Sequence, residues 1–326
     1  MHQLACGAWV AQAVSVFARL GIADVLSAGP RDAVQIAASV GAHPPTVYRL
    51  LRALADHEVV TELEGRRFAL AALGETLRRD VPGSCAGMLT MIGSRFQTSA
   101  WADLYESVRT GEPAFARVFG VGFFDYMREH PDDAAIFNAA MSEVSEVFVS
   151  TTVPLYDFGR FPTIVDVGGG HGRLLAEILE AHPGVRGVLF DLPDVVSGAG
   201  ANLARFGDRC QVVGGDFFES VPSGGDAYVL SNVIHDWGDQ QAVAILRTCR
   251  AAMGRSATLL LMQGVLSDHP RPDPLLKILD IEMLVSADGG RQRTRGEFAK
   301  LLEQAGLRLA GVTPGPVVSV VEAVPV

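Results

Sequence analysis

The sequence predicts an α/β protein in two parts: a mainly helical N-terminal region with a winged-helix pattern, then a doubly wound, mostly parallel sheet. Three observations predict it. Residues 163–179 read as strand, glycine turn and amphipathic helix; strand and helix patterns alternate from residue 161 onward; and residues 31–70 read as helix, turn, helix and hairpin. At 326 residues the chain is long enough for two domains with a substantial core. The expected divisions are 1–95 for the winged region, 96–160 for a helical linker and lid, and 161–326 for the sheet domain.

Composition narrows the function classes. The hydrophobic fraction of 48% and charged fraction of 20% are those of a soluble globular protein. A net charge of −10 repels phosphate backbones, so nucleic acid is not an expected partner. Cys6, Cys85, Cys210 and Cys249 are far apart, which suits reduced thiols and a cytoplasmic location. The eight histidines show no metal-ligand spacing, so no histidine-based metal site is expected. Residues 4–18 are apolar enough to imitate a signal-peptide core, yet no Lys or Arg precedes them and Gln12 and Ser15 interrupt them. They read as a buried or subunit-interface helix. No apolar run reaches the ~18 residues needed to cross a bilayer.

Within the winged region, 32–40 reads as a short helix, Gly41-Ala-His-Pro-Pro45 as a turn and 46–56 as a second helix with Val47, Leu50, Leu51 and Leu54 on one face. A hairpin follows over 59–63 and 66–70, turning at Glu64-Gly65. Such a unit invites a DNA-binding reading, but residues 31–80 hold seven Arg against seven acids. A neutral surface gives phosphates no footprint, which favours a scaffold or dimerisation role. Further helices are expected to 160, one carrying Trp101, Leu104 and Val108, another Phe137, Ala140 and Met141, with Pro131 and Pro154 as punctuation.

Strands are expected at 163–167, 187–191, 210–213, 226–231, 257–262, 307–312 and 317–322, with a helix over 239–253. Sheets of this kind bind ligands at the carboxyl ends of their strands. Those ends are where the informative residues fall. A nicotinamide-binding turn places glycines at relative positions one, three and six. Here Gly168 and Gly170 fit the first two, but the third is Arg173. The pattern is instead Gly-x-Gly-x-Gly behind Asp166, which resembles the first motif of doubly wound S-adenosylmethionine-dependent methyltransferases. Asp191, ending the next strand, is placed to accept from ribose hydroxyls. In Gly215-Asp216-Phe217, the acid suits an adenine amino group and the ring an adenine face.

The run Leu230-Ser-Asn-Val-Ile-His-Asp-Trp-Gly-Asp239 resembles the catalytic segment of the plant caffeate-type and bacterial antibiotic-pathway O-methyltransferases. Gly7-Ala-Trp-Val-Ala-Gln-Ala-Val14, Phe137-Asn-Ala-Ala-Met141, Asp191-Leu-Pro193 and Gly289-Gly-Arg-Gln-Arg-Thr294 follow in that family's order. The resemblance implies a Rossmann-like methyltransferase domain behind a winged-helix dimerisation domain, a homodimer, and a small aromatic or polyketide-like substrate. It places the general base at His235, beside Asp236. It places cofactor contacts at Gly168, Gly170, Asp191, Leu192, Asp216, Phe217 and Ser231, and a substrate wall at Met91, Phe137, Met141 and Met283. Met and Phe at helical spacing also suit plain core.

Two positions depart from the family. Where many members carry carboxylates beside the histidine, this chain has Gln263 and Gln292. Glu297 is no substitute, because Thr294-Arg-Gly-Glu297 has capping-box spacing. An amide can orient an imidazole or a substrate but cannot offset the charge of an imidazolium. A phenol near pKa ~10 and an imidazole near ~6.5 differ by roughly 5 kcal/mol against proton transfer. Two alternatives therefore stand beside O-methylation: non-methylating chemistry (hydroxylation, decarboxylation or cyclisation) in the same cofactor pocket, and a ligand-responsive DNA-binding regulator built on the winged unit.

Overall fold

A computed structural model describes all 326 residues, which divide into two compact units. The first comprises residues 1–102 and 124–146, the second residues 103–123 and 147–326. The stretch expected as a separate linker is thus shared between them.

In the first unit, α1 (Gly7–Arg19) precedes β1 (Arg31–Asp32), α2 (Ala33–Val40), α3 (Pro44–Ala55) and the hairpin β2 (Val60–Leu63) and β3 (Arg67–Leu70). Phe17, Ile22, Ile36, Leu51, Leu54 and Phe68 form its core. The helix–turn–helix–hairpin pattern is present with three corrections. Pro44 and Pro45 open α3 instead of lying in the turn; the first helical turn has no use for their missing N–H groups. Arg31 and Asp32 add a third strand beside β3. Asp32 also caps α2, its Oδ1 accepting from the N–H of Val34 and Gln35 at 2.9 Å each.

Trp101 and Leu104 do not share a helix. One helix ends at Ala102 and the next runs from Leu104 to Thr110, where Val108 is exposed. The long helix α4 (Pro131–Thr152) carries Phe137, Ala140 and Met141, and Pro131 is its first residue.

The second unit is built on β4 (Thr163–Val167), α5 (Arg173–Ala181), β5 (Arg186–Asp191), β6 (Cys210–Gly214), β7 (Ala227–Ser231), α6 (Asp239–Ala252), β8 (Thr258–Gln263), β9 (Val265–Leu266), α7 (Pro274–Ser286), β10 (Arg293–Thr294), α8 (Arg295–Gln304), β11 (Leu307–Thr313) and β12 (Ser319–Pro325). Seven strands form one sheet in the order β11-β12-β8-β7-β4-β5-β6. The strands β4 to β8 in it are parallel, and β12 joins antiparallel to both β8 and β11. The short β9 and β10 pair separately, in parallel.

Both sheet faces are covered, so the central strands are apolar on both sides. Val165, Val167, Tyr228 and Leu230 pack with α6 and α8 on one face; Ile164, Val229, Leu260 and Met262 pack with α5 on the other. Chain order reverses between β4 and β7. That is the switch point where a doubly wound sheet opens a crevice beyond its strand ends.

Candidate active site

The crevice is walled on one side by the turn after β4. Gly168 has φ +69°, and a Cβ there would stand 2.9 Å from Val233 Cγ2. A Cβ on Gly169 would lie 2.6 Å from the Asp166 carboxyl carbon. Side chains are thus excluded on two sides, and bare backbone forms the wall. Val233 belongs to the loop after β7, so the loops at the switch point touch.

Asp191 ties this wall to β5. Its Oδ2 accepts from Gly170 N–H at 2.8 Å and its Oδ1 from Leu192 N–H at 2.7 Å. Each oxygen retains a lone pair for a further donor. Asp216 Oδ1 accepts from Phe218 N–H at 2.8 Å, which fixes the turn carrying Phe217. Phe217 stands edge-on to Trp237 with centroids 6.1 Å apart, and Phe218 meets the same indole at 4.8 Å. Trp237 and Phe218 were not among the expected site residues, although Trp237 lies in the run quoted for the histidine. Beneath the glycines, Asp166 is buried and neither carboxyl oxygen has a hydrogen-bond partner. Burial and the nearby Asp191 charge push its pKa up to about 7.

The other wall is the segment after β7. Ser231 ends the strand, and Asn232 adopts a left-handed φ of +53°, a conformation Asn tolerates better than most residues. His235 follows in the single turn Ile234–Asp236. Its Nε2 lies 3.2 Å from Asp236 Oδ1, and its Nδ1 is buried with no partner. With Nε2–H donating to Asp236, Nδ1 is the ring nitrogen open to accept a proton.

The two glutamines do different things. Gln263 is fully buried, and its side-chain oxygen, facing the available donors, accepts from the N–H groups of Asn232 and Val233 at 3.1 Å each. That oxygen serves the loop backbone, not the imidazole. Gln292 donates its backbone N–H to Asp280 Oδ1 at 2.8 Å, while its side-chain Oε1 is buried without a partner. Asp280 is a further residue the sequence reading did not single out. Glu297 caps α8 as expected: Glu297 N–H donates to Thr294 Oγ1 at 3.3 Å, and Thr294 N–H to Glu297 Oε2 at 2.8 Å.

Of the expected wall, Met283 lies on α7 in the second unit. Met91, on the short helix Ala86–Ile92, and Phe137 and Met141, on α4, belong to the first.

An O-methyltransferase domain model matches residues 101–308, and an O-methyltransferase dimerisation domain model matches residues 2–80. The phenazine O-methyltransferase PhzM of Lysobacter antibioticus is 41% identical over 327 residues, covering 99% of this chain and 95% of that protein. The 8-amino-8-demethylriboflavin N,N-dimethyltransferase of Streptomyces davaonensis is 39% identical, covering 96% of this chain and 91% of its own. A crystal structure of an O-methyltransferase from neocarzinostatin biosynthesis, with S-adenosylmethionine and 2-hydroxy-5-methyl naphthoic acid, superposes with a TM-score of 0.84 at 34% identity. It covers 97% of this chain and 96% of that one. The bare-backbone cradle and the acid at the end of β5 fit that cofactor. The chain belongs to the O-methyltransferase family, S-adenosylmethionine-dependent enzymes of secondary metabolism that carry a dimerisation domain ahead of the catalytic one.

Proposed function

We propose that this enzyme methylates a hydroxyl of a small aromatic or polyketide-like metabolite, with His235 as general base. The observation that carries the reading is the unpartnered, buried Nδ1 of His235 at the switch-point crevice. Bound S-adenosylmethionine supplies an electrophilic methyl group on a cationic sulfur. Gly168, Gly170, Asp191, Leu192, Asp216, Phe217 and Ser231 hold it in this reading. Nδ1 takes the hydroxyl proton, and Asp236 keeps the ring in the tautomer that allows it. Asp236 is partly exposed, so solvent screens its charge and it narrows the ~5 kcal/mol gap to a phenol only in part. Placement of the acceptor oxygen contributes several kcal/mol more. The unpartnered Gln292 Oε1 is suited to accept from a second donor on the substrate. Within the second unit, Met283 of α7 supplies apolar lining.

Incubating the enzyme with methyl-deuterated cofactor and a panel of phenols, naphthols and aryl amines tests the reading. Label is expected on oxygen. Label on nitrogen alone would move the acceptor class to amines, and an unlabelled product would mean non-methylating chemistry. His235→Ala is expected to lower kcat by about 100-fold or more, in the range of general-base loss. Activity retained within a few-fold in this variant removes the base assignment.

We also assign the winged unit to subunit contact and not to DNA. The dimerisation-domain match over residues 2–80 and its balanced charge over 31–80 support that assignment.

A further inference from the structure

Arg293 is the largest fully buried side chain in the protein. A guanidinium is rarely buried unless every donor has an acceptor. Here Nη1 donates to Ile234 O at 2.9 Å and Nη2 to Trp237 O at 2.8 Å. Nη2 and Nε also reach Asp239 Oδ1, at 2.8 and 3.2 Å. Ile234 and Trp237 flank His235 and Asp236, so one rigid fork closes over both ends of the turn that carries the histidine. Asp239 begins α6, which anchors the fork to the helix after the turn.

The surroundings leave the turn few other ties. Arg291 N–H donates to His235 O at 2.8 Å, and the Gln263 oxygen holds Asn232 and Val233 upstream. The hydrogen-bonding partner of the imidazole is Asp236, its own neighbour, so no polar side chain outside the turn orients the ring. Burial would raise the Asp239 carboxyl, but hydrogen bonding and charge from Arg293, joined by those from Arg291 at 3.4 Å, outweigh it and hold it below the usual carboxylate range. The pair is therefore charged and locked at neutral pH.

We propose that Arg293 is a positioning residue for methyl transfer: by spanning the Ile234 and Trp237 carbonyls it fixes the turn that aims His235 at the acceptor. Lysine cannot replace it, because one compact ammonium cannot reach acceptors on both sides of the turn in a fixed plane. The inference rests on His235 being the base.

The test is Arg293→Lys in the full-length protein, with kcat, acceptor KM, cofactor affinity by calorimetry and thermal midpoint measured together. The expected result is a kcat loss of about 100-fold, the scale of a small misplacement of a reacting group. Cofactor affinity stays within about 3-fold, because the glycine turn and Asp191 are untouched. Guanidinium ion added to Arg293→Ala is expected to restore part of kcat where equal sodium chloride does not. A folded Lys variant with unchanged kcat overturns the proposal, as does a kcat loss matched by an equal loss of cofactor affinity.

Should the Lys variant not fold, Asp239→Asn decides, since it leaves both carbonyl bonds in place. A kcat within about 3-fold of the parent supports the fork, and a 100-fold loss assigns the effect to the ion pair instead. Where the Lys variant folds, Arg293→Lys is also added to His235→Ala. If Arg293 acts through His235, the second change costs less than about 3-fold further. A full further loss overturns the proposal while leaving the base assignment intact. A near-neutral His235→Ala alone sinks the base assignment separately.

Discussion

Asp166 is a carboxyl held where neither oxygen meets a donor, sealed beneath the glycine turn. Its pKa is raised from 3.8 to about 7, by burial first and by the Asp191 charge second. An acid whose folded pKa exceeds its unfolded one favours the fold when protonated. That contribution is complete below about pH 4 and is lost as pH rises towards about 7, because the folded state binds the extra proton across that window. Asp166→Asn cannot ionise. The variant is expected to gain unfolding free energy relative to the parent progressively between pH 4 and 7, by an amount on the order of a few kcal/mol, and the gain is then constant. Urea melts of both proteins without cofactor across pH 4–8 check this. A difference independent of pH would mean that Asp166 does not titrate in that range. The sequence marked Asp166 only as the acid before the glycines; its lack of partners is a property of packing.

At the scale of elements, regular periodicity made most of the fold legible. The strand 163–167 is found where expected, because both-face burial requires a continuous β-branched run there. The capping spacing of Thr294 and Glu297 located the start of α8. Contacts between residues distant in sequence were not legible in this way. Arg293 meets Ile234 59 residues away, and Asp280 meets Gln292 across 12 residues. No local pattern encodes such pairs. The Gln263 and Gln292 departures were visible as residue types, yet their different tasks depend on which backbone groups lie opposite. The cap itself makes a testable claim. Thr294→Ala removes the acceptor for Glu297 N–H and is expected to cost about 1 kcal/mol in chemical denaturation. Thr294→Ser keeps the hydroxyl and is expected to stay within a few tenths of the parent.

For the whole molecule, the open structural question is assembly. No helix is long and apolar enough to cross a membrane. In the first unit, Phe17 and Ala18 of α1 are buried, but Trp9 is 75% exposed and Leu4, just before α1, is 79% exposed. Large apolar side chains left in water beside a dimerisation-domain match argue for a second copy of the chain as their cover. Burial of each such side chain is worth about 1.5–3 kcal/mol, and a two-fold interface counts every residue twice. The full-length protein is therefore expected to be a dimer at micromolar concentration by light scattering after gel filtration. Leu4→Glu with Trp9→Glu is expected to weaken that dimer by at least about 100-fold while the far-ultraviolet circular dichroism stays unchanged. A parent protein that runs as a monomer refutes the assembly. A double variant that remains fully dimeric at nanomolar concentration instead moves the interface away from this helix.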